Sequence, residues 1–286
     1  MNRLWLTAAA GAVLVGTTVA DSRFPIEDRE TVRRSLALTP GRDAALEVSN
    51  INGAIAVIGG DAPGIELVAE RTIRSRTEAD RDEARRALQL ETRETAGGVL
   101  VCEDAARRCG CDERTSRAWR HWDEPRYITE TRLELRVPHR LAVRLCSING
   151  GRITVSHTTG GVEVDHVNGG IEVDDIRGAA RLVTVNGSIR AAFPETPRAS
   201  SFRSVNGTIE ASFPRSLAAD LRLQTRNGGI FTDFETTALP QPAATVERRN
   251  GKSIYRSSGA VHVRVSSGGP ALSFETLNGD VRVLQR

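Results

Sequence analysis

Paired acidic side chains in the middle of the chain are the first residues whose spacing could do chemistry. Glu163 and Asp165 stand two positions apart, so on an extended strand they project from one face, about 6.6 Å apart. Glycosidases cleave a sugar bond with two carboxyl groups roughly 5–9.5 Å apart. Any acids two positions apart meet this spacing. Arg144 and Arg181 are also predicted to flank Glu163 and keep it ionised, which opposes a role as general acid. A polysaccharide-acting enzyme is therefore an alternative, not the main prediction.

The same stretch, GGVEVDHVNGGIEVDDI, is similar to two units of the repeat-in-toxin calcium motif G-G-x-G-x-D-x-U-x. The matching residues are Gly160, Gly161, Asp165 and Val167 in one unit and Gly169, Gly170, Asp174 and Ile176 in the next. The fourth position should be glycine, but Glu163 and Glu172 occupy it within alternations typical of strands. The pattern favours strands, and a calcium-dependent binding module remains an alternative.

Four cysteines, Cys102, Cys109, Cys111 and Cys146, could bind zinc or form disulfides. The spacing C-x6-C-x-C is not that of a standard zinc knuckle, even with His121 as a further ligand. An exported chain favours disulfides. Cys109 and Cys111 are too close to pair easily, so we predict that one of them joins Cys102 and the other joins Cys146. We predict no metal and no cofactor, with a zinc-dependent binder as the alternative.

Two histidines and two tryptophans have similarly open interpretations. His157 and His166 lie nine residues apart and could bind a metal, but each is predicted to fill a polar position beside a turn. Equivalent turn positions hold Ser147, Thr184 and Ser204. Trp119 and Trp122 form either a small binding platform or the cover of an apolar patch.

The amino-terminal residues predict export. Arg3 precedes an uncharged apolar run, and TVA before Asp21 fits a cleavage site after Ala20. We therefore predict a signal peptide over 1–20 and a periplasmic, cell-surface or secreted protein. An uncleaved anchor remains open, but after cleavage the chain is predicted not to be an integral membrane protein.

Charge and aromatic content argue against a nucleic-acid partner. The 286 residues hold 39 basic and 36 acidic side chains, and the arginines alternate with acids instead of forming a basic stripe. Aromatic residues are 4% of the chain, so stacking platforms are scarce. No P-loop, dinucleotide fingerprint, G-x-S-x-G elbow or H-E-x-x-H motif is present.

A repeated Asn-Gly turn sets the fold prediction. The repeating asparagines are Asn149, Asn168, Asn186, Asn206 and Asn227, at steps of 19, 18, 20 and 21 residues, with further Asn-Gly pairs at Asn52, Asn250 and Asn278. Apolar side chains alternate on both sides of each turn, as in one-sided strands. A nearly constant step predicts a single-chain parallel β-solenoid of about twenty residues per rung, because hairpins need no fixed repeat. The five asparagines are then predicted to stack as a structural ladder.

Charged columns give an independent reason for parallel strands. Glu172, Arg190 and Glu210 follow equivalent positions in successive repeats, so they would face one another with alternating sign. Phe193, Phe213 and Phe234 likewise fall in one column and are predicted to stack. An antiparallel arrangement would not bring these residues together.

The chain divides into four predicted regions. The signal peptide over 1–20 is followed by a flexible segment over 21–35. An N-terminal β region over 36–141 contains a short helix over 77–89 and a Cys- and Trp-containing insertion. The repeat region covers 142–286, and its end, LSFETLNGDVRVLQR, is predicted to be a last rung without a separate cap.

The phrase LRVPHRLAVRLCSINGGRITV, followed by VNGGIEV, VNGSIRA and VNGTIEA, resembles the bacterial putative-adhesin family of unknown function with a β-strand (V-N-G-x-I) repeat. The resemblance implies a β-helix that is exported or envelope-associated and that binds at a surface. We therefore predict a non-catalytic, adhesin-like scaffold that presents an elongated face. Its partner would be an unidentified envelope polymer or protein.

Overall fold

The computed structural model describes residues 23–38, 44–87, 89–95, 98–103, 125–240, 245–249, 252–256 and 259–286. Within these residues almost all regular structure is β, and the one described helix is α1 (Glu78–Ala87). The strands are β1 (Ile26–Leu36), β2 (Ala45–Asn52), β3 (Ile55–Gly60), β4 (Ile65–Ser75), β5 (Leu90–Thr95), β6 (Gly98–Glu103), β7 (Tyr127–Pro138), β8 (Ala142–Asn149), β9 (Ile153–Thr158), β10 (Val162–Asn168), β11 (Ile171–Ile176), β12 (Ala180–Asn186), β13 (Ile189–Ala192), β14 (Ser200–Asn206), β15 (Ile209–Phe213), β16 (Ala219–Asn227), β17 (Ile230–Thr232), β18 (Thr236–Ala238), β19 (Thr245–Arg249), β20 (Lys252–Arg256), β21 (Val261–Val265), β22 (Ala271–Asn278) and β23 (Val281–Gln285).

Two large sheets enclose one hydrophobic core. The ten-stranded sheet has the order β1-β4-β7-β3-β9-β11-β13-β15-β23-β17. The eleven-stranded sheet has the order β18-β21-β16-β22-β14-β12-β10-β8-β2-β6-β5, and β19 and β20 form a small sheet of their own. In the middle of both large sheets each strand is parallel to its neighbours. The prediction of a mostly β protein with parallel strands is confirmed.

Each rung of this solenoid-like coil is a strand of the eleven-stranded sheet, a turn at an Asn-Gly pair, and a strand of the ten-stranded sheet. We name each rung by its asparagine. In spatial order the rungs are those of Asn52, Asn149, Asn168, Asn186, Asn206, Asn278 and Asn227. Neighbouring rungs pair in parallel with asparagine opposite asparagine, so equivalent side chains lie beside one another along the coil.

The core is built from the alternate residues of each strand that point between the two sheets. Val164, Leu182 and Phe202 come from successive strands of the eleven-stranded sheet, and all three are fully buried. Ile189 and Ile209 face them from the ten-stranded sheet and are equally buried. Complete burial of a side chain of this size contributes about 1.5–3 kcal/mol, so the repeated apolar column stabilises the coil rung by rung.

Aromatic rings form two stacks inside the core. Phe193 lies parallel to Phe213 with ring centroids 5.1 Å apart, and Phe202 lies parallel to Phe274 at 4.8 Å. The predicted stacking of Phe193 on Phe213 is confirmed. Phe234 is buried, but no ring contact joins it to that stack within the described part of the chain.

The order of the last rungs differs from the sequence prediction. The chain forms the rung of Asn227 directly after the rung of Asn206, yet β22 and β23 lie between the two in space. Asn278 therefore stands between Asn206 and Asn227 in the ladder. A step of about twenty residues holds from Asn149 to Asn206, and the next two separations are 72 and 51 residues. The predicted direct contact between Asn206 and Asn227 is wrong, because the C-terminal segment forms a rung between theirs.

Antiparallel strands extend the ten-stranded sheet beyond the rung of Asn52. Strand β4 is antiparallel to β7, and β1 is antiparallel to β4. The flexible segment predicted for 21–35 is therefore wrong over most of its length, because strand β1 occupies Ile26–Leu36. The predicted boundary at 142 does not divide the structure either, since β2 pairs directly with β8.

Helix α1 follows β4, as the sequence predicts. The hydroxyl of Thr77 accepts a hydrogen bond from the backbone N–H of Asp80 at 3.2 Å, which caps the first turn. Acidic residues in the first turn and arginines in the last complement the helix dipole. Ala84 anchors the helix by packing against Ile73 of β4.

The other end of the coil is covered by two antiparallel strands. Strand β21 pairs antiparallel with β16, and β18 pairs antiparallel with β21. Val265 of β21 is buried and belongs to the core. The sequence predicts that the final residues form the last rung without a separate cap, and this is wrong. The final residues form a rung between those of Asn206 and Asn227, and β18 and β21 cover the end of the coil.

Two cysteines flank the same residue of the central sheet. Ser49 of β2 pairs with Cys102 of β6 on one side and with Cys146 of β8 on the other. Cys102 and Cys146 are therefore two strands apart, about 9.6 Å, which is too far for a disulfide between them. No cysteine among the described residues is a free thiol. The predicted partners, Cys109 and Cys111, lie outside the described residues.

Candidate functional site

A ladder of exposed asparagine side chains follows one corner of the coil. Each amide donates a hydrogen bond from Nδ2 to Oδ1 of the next asparagine. The N–O distances are 2.7 Å (Asn168 to Asn149), 2.8 Å (Asn186 to Asn168), 2.8 Å (Asn206 to Asn186), 2.6 Å (Asn278 to Asn206) and 2.6 Å (Asn227 to Asn278). A side-chain amide has two N–H donors and two acceptor positions. Each amide inside the ladder uses one of each, so the others face solvent at every rung.

Glycine after each asparagine allows the turns to stack this closely. A Cβ atom on Gly187 would lie 2.0 Å from the carbonyl oxygen of Gly169, and one on Gly228 would lie 2.0 Å from that of Gly279. Both distances are far below van der Waals contact. Glycine is thus required at these two positions by the approach of the neighbouring backbone.

An aliphatic stripe lies beside the ladder on the outer face of the eleven-stranded sheet. It consists of the residues immediately before the asparagines: Ile148, Val167, Val185, Val205 and Leu277. The first four are half-buried, and Leu277 is 42% exposed. An outward apolar side chain on five neighbouring rungs gives this face a continuous nonpolar strip next to a continuous polar one. We call the ladder and the stripe together the asparagine face.

Ion pairs cross the strands next to the stripe. Arg144 lies between Glu47, at 2.9 Å, and Glu163, at 3.6 Å. One guanidinium nitrogen of Arg181 contacts both Glu163, at 3.0 Å, and Asp165, at 2.9 Å. The hydrogen bond with Asp165 is the main reason that the pKa of Arg181 is raised. The predicted alternation of charge along this column is confirmed.

A second alternating column follows the outer face of the ten-stranded sheet. Glu172, Arg190 and Glu210 are successive register partners on parallel strands, as predicted, and Arg282 follows Glu210. Arg190 contacts Glu210 at 3.4 Å, while Glu172 bonds to Arg152. Exposed pairs of this kind contribute little energy each, so their main effect is to specify register.

A shallow groove of about 490 Å³ connects the stripe and the ion pairs. Its lining includes Ile148, Val167 and Val183 on the apolar side and Arg144 and Asp165 on the charged side. The groove is open and spans several rungs, which suits an extended partner better than a small enclosed ligand.

Inside the turn, a column of hydroxyl groups ties several rungs to their neighbours. Thr184 donates to the carbonyl of Gly169 at 2.9 Å, and Ser204 donates to that of Gly187 at 2.9 Å. Thr276 and Thr225 make the same contact at the later rungs. This inner column satisfies backbone carbonyls that would otherwise be buried without a donor.

His166 replaces the hydroxyl in the rung of Asn168. Its side chain is buried, and neither ring nitrogen makes a hydrogen bond of standard geometry. Burial lowers the pKa of His166, and the backbones of Gly170 and Gly150 only partly offset the shift. The prediction that His166 fills the polar position beside a turn is confirmed.

The other predicted histidine lies at a different corner. His157 itself has φ 57°, and its side chain bonds to Asp175 at 2.9 Å. This bond is the main cause of the lowered pKa of Asp175. His139 contacts the carbonyl of His157 at 2.7 Å. The prediction that His157 shares the position of His166 is wrong, because the backbone bulge at the end of β9 turns it towards Asp175.

Arg181 binds both Glu163 and Asp165, the two acids that a polysaccharide-acting enzyme would use. Glu163 and Asp165 both accept a hydrogen bond from the same nitrogen of Arg181, so the two carboxylates that line the groove are held in ion pairs. Both units that resemble the calcium motif form strands, β10 and β11, at the positions where that motif needs a glycine loop. Within the described residues no three His, Cys, Asp or Glu side chains are grouped to hold a metal ion.

Several predicted residues lie outside the described residues, namely Cys109, Cys111, Trp119, His121 and Trp122. No helix in the described part of the chain is long and apolar enough to span a bilayer. Sequence reasoning missed the aliphatic stripe, although the apolar residue directly before five of the Asn-Gly pairs was its visible signal. It also missed the contact of His139 with His157, although their separation of 18 residues equals the step from Asn168 to Asn186.

Comparison with family models gives a match to one part of the chain. Residues 147–282, slightly less than half of the chain, match the model of the family described as Toastrack DUF4097. The matched stretch runs from the rung of Asn149 through the C-terminal rung. No protein of curated function matches this chain.

Similar solved structures include a putative cell adhesion protein from Clostridium sporogenes, with 7% identity and a TM-score of 0.45 over 91% of this chain and 100% of that one. A putative adhesin from Bacteroides fragilis shares 8% identity, with a TM-score of 0.29 over 90% and 97%. A putative lipid binding protein from Parabacteroides distasonis shares 10% identity, with a TM-score of 0.26 over 91% and 97%. Similarities of this size assign no function to this chain.

Proposed function

We propose that this protein is an exported, non-catalytic binding scaffold of the cell envelope or cell surface. The asparagine face, presented along an elongated β-solenoid of about twenty residues per rung, would be its binding surface. The partner would be an extended envelope polymer, such as a polysaccharide, or an extended protein segment.

The observation that carries the proposal is the regular pairing of polar and apolar groups on the asparagine face. Each amide inside the ladder leaves one N–H and one acceptor position towards solvent, and an aliphatic side chain stands beside it. Rungs repeat at the strand spacing of about 4.8 Å, close to the length of one sugar residue in an extended glycan. A partner with a repeating hydroxyl pattern could therefore make the same contact at each rung.

Catalysis is not part of this proposal, because the carboxylates with suitable spacing are committed to ion pairs. Glu163 and Asp165 would have to release Arg181 before either could transfer a proton. A calcium- or zinc-dependent binder would need a cluster of metal ligands, and the described residues contain no group of three His, Cys, Asp or Glu side chains that could hold an ion.

Export and the cysteine pairing belong to the same proposal. The positive and apolar start of the chain supports a signal peptide over 1–20. Cys102 and Cys146 are proposed to pair with Cys109 and Cys111 in an oxidising compartment. Both are adjacent to Ser49, so the two bonds would attach the insertion to one region of the outer face.

Co-sedimentation with insoluble peptidoglycan and binding to an array of bacterial polysaccharides test the function. The mature chain is compared with V185K, which places a charge in the stripe, and with T154K, which changes a half-buried outward residue of the other sheet. We expect V185K to weaken binding about tenfold, equivalent to about 1.4 kcal/mol, and T154K to bind like the unchanged chain. Equal binding by V185K, or no binding to any probe, would contradict the proposal.

A further inference from the structure

The C-terminal segment occupies a slot between two rungs that precede it in the chain. Strand β22 pairs with β14 on one side and β16 on the other, and β23 pairs with β15 and β17. Both walls of the slot are complete before residue 271 is reached. The final rung is therefore an inserted element, held by contacts on both of its sides.

Those contacts are specific on the side of the Asn206 rung. Phe274 stacks on Phe202, Thr276 donates to the carbonyl of Gly207 at 2.9 Å, and Asn278 donates to Asn206. On the outer face Arg203 and Glu275 form an ion pair at 2.9 Å. The inserted rung thus contacts the Asn206 rung in the core, at the turn and on the outer surface.

The side facing the Asn227 rung is equally complete. Thr225 donates to the carbonyl of Gly279 at 2.8 Å, and Asn227 donates to Asn278. The carboxylate of Asp280 accepts a hydrogen bond from the backbone N–H of Gly229 at 3.0 Å. The slot consequently recognises one particular rung, and the C-terminal segment of any copy of this chain carries it.

The connection to this rung is short and strained. Strands β21 and β22 lie on opposite edges of β16, so the chain must cross the beginning of β16 to pass from one to the other. Five residues, Ser266–Pro270, make this crossing, which we call the strap. Ser266 has φ 53°, a left-handed conformation that is unfavourable for a residue other than glycine, and Gly268 has φ 75°. Both serines of the strap, Ser266 and Ser267, are exposed.

We propose that the C-terminal rung exchanges between copies of this chain, giving a dimer in which residues 271–286 of each copy fill the slot of the other. Exchange preserves every contact of the rung, because the same residues meet the same slot. It also allows the strap to extend and to lose its left-handed conformation. Short hinge loops under strain are known to favour such exchange. The partner is therefore a second copy, and its recognition element is the C-terminal rung.

Release of the rung does not leave the coil open. The rung of Asn227 follows that of Asn206 by 21 residues in the repeat, so it carries equivalent side chains. Leu223, Thr225 and Ile230 match Phe202, Ser204 and Ile209 in position. The Asn227 rung can therefore close against the Asn206 rung while the C-terminal segment moves between copies.

Mixed copies with single new cysteines test the exchange directly. Ser201 and Ser273 are register partners, and neighbouring strands lie about 4.8 Å apart, within the range for a disulfide. One tagged copy carries S201C and a differently tagged copy carries S273C, and the two are unfolded, mixed and refolded with mild oxidant. We expect a disulfide-linked product that carries both tags. The matched control pairs S156C with S273C, since Ser156 lies on the outer face of the other sheet.

The length of the strap gives a second test. Deleting 267–269 leaves two residues between Val265 and Ala271, so three Cα–Cα steps, about 10 Å at full extension, must cover a crossing of about 9.6 Å that also passes over β16. We expect this variant to be a dimer by size exclusion with light scattering, with unchanged β circular dichroism. Inserting Gly-Ser-Gly after Gly268 should instead shift the chain to the monomer. A deletion variant that folds as a monomer overturns the proposal. A disulfide-linked mixed-tag product that is no more abundant than in the S156C control also overturns it. If the deletion variant does not fold, the mixed-tag comparison alone decides.

Discussion

Asn227 donates a hydrogen bond to Asn278 at 2.6 Å, although 51 residues separate them and Asn206 is nearer in the chain. The bond shows that the coil is assembled in an order different from that of the sequence. The ladder therefore follows the spatial order of the rungs, because each asparagine contacts the one that is adjacent in space. The stability of the ladder can therefore be tested at any single rung.

Replacing Asn186 by alanine should destabilise the fold by about 1–2 kcal/mol. The side chain donates to Asn168 and accepts from Asn206, so its removal breaks two ladder bonds and leaves the Oδ1 of Asn168 and the Nδ2 of Asn206 without a ladder partner. Urea unfolding followed by circular dichroism measures the loss. S201A, at an exposed position of the next strand, serves as the control and should change stability by less than about 0.5 kcal/mol. Equal unfolding midpoints for the two variants would show that the ladder does not stabilise the coil.

Replacing Gly187 by alanine should cost more, roughly 2–4 kcal/mol, because the new methyl group would meet the carbonyl of Gly169 at 2.0 Å. The rungs would have to separate locally to relieve this contact. Gly60 offers a matched control, since an added Cβ atom there meets nothing within 4 Å. G60A should unfold at nearly the same denaturant concentration as the unchanged protein. A G187A variant as stable as G60A would mean that the turns are not packed as described.

Stability should decrease as the pH falls below about 6.5, the ordinary pKa of histidine. Burial lowers the pKa of His166 in the folded state, so the unfolded chain binds the proton first. The contribution of neutral His166 is then complete above that pH and declines below it, by at most about 1.4 kcal/mol per pH unit. Ser147 and Thr184 flank the ring in its column, and neither carries a charge.

The H166T variant is the control for this pH dependence. Its hydroxyl should reach the carbonyl of Gly151, as Thr184 reaches that of Gly169. Melting temperatures measured from pH 5 to pH 7.5 should fall less steeply towards acid for H166T than for the unchanged chain. Parallel curves would assign the pH dependence to other groups, including the bond between His157 and Asp175.

Reduction should release the insertion between β6 and β7 without unfolding the coil. Cys102 and Cys146 lie near one end of the stacked rungs, and the core beyond them contains no cysteine. We expect alkylation of all four cysteines only after reduction, by mass spectrometry, with the β signal in circular dichroism retained. Loss of that signal on reduction, or alkylation without reductant, would contradict the proposed pairing.

Much of the coil could be predicted from local patterns. The alternation around each Asn-Gly pair gives the inward residues, and the alternating charges of Glu172, Arg190 and Glu210 indicate parallel strands. These features depend on neighbours one rung away, so a repeat of nearly constant length is enough to find them. The position of His166 follows from the same alignment.

The order of the last rungs could not be predicted this way. The residues around Asn227 and Asn278 are both suitable neighbours for the rung of Asn206, and sequence proximity favours the wrong one. The decision depends on Phe274 stacking with Phe202 and on the strap crossing β16, which are long-range contacts. The corner formed by His139, His157 and Asp175 is different, because its steps of 18 residues match the repeat.

The ladder also has a direction. Every amide points its N–H towards the rung of Asn149 and its carbonyl oxygen towards that of Asn227. The small dipoles therefore add along the coil, as peptide dipoles add along a helix. One extremity of the column is relatively positive and the other relatively negative. A repeating molecule laid against it would meet two unlike poles and would be held in one orientation.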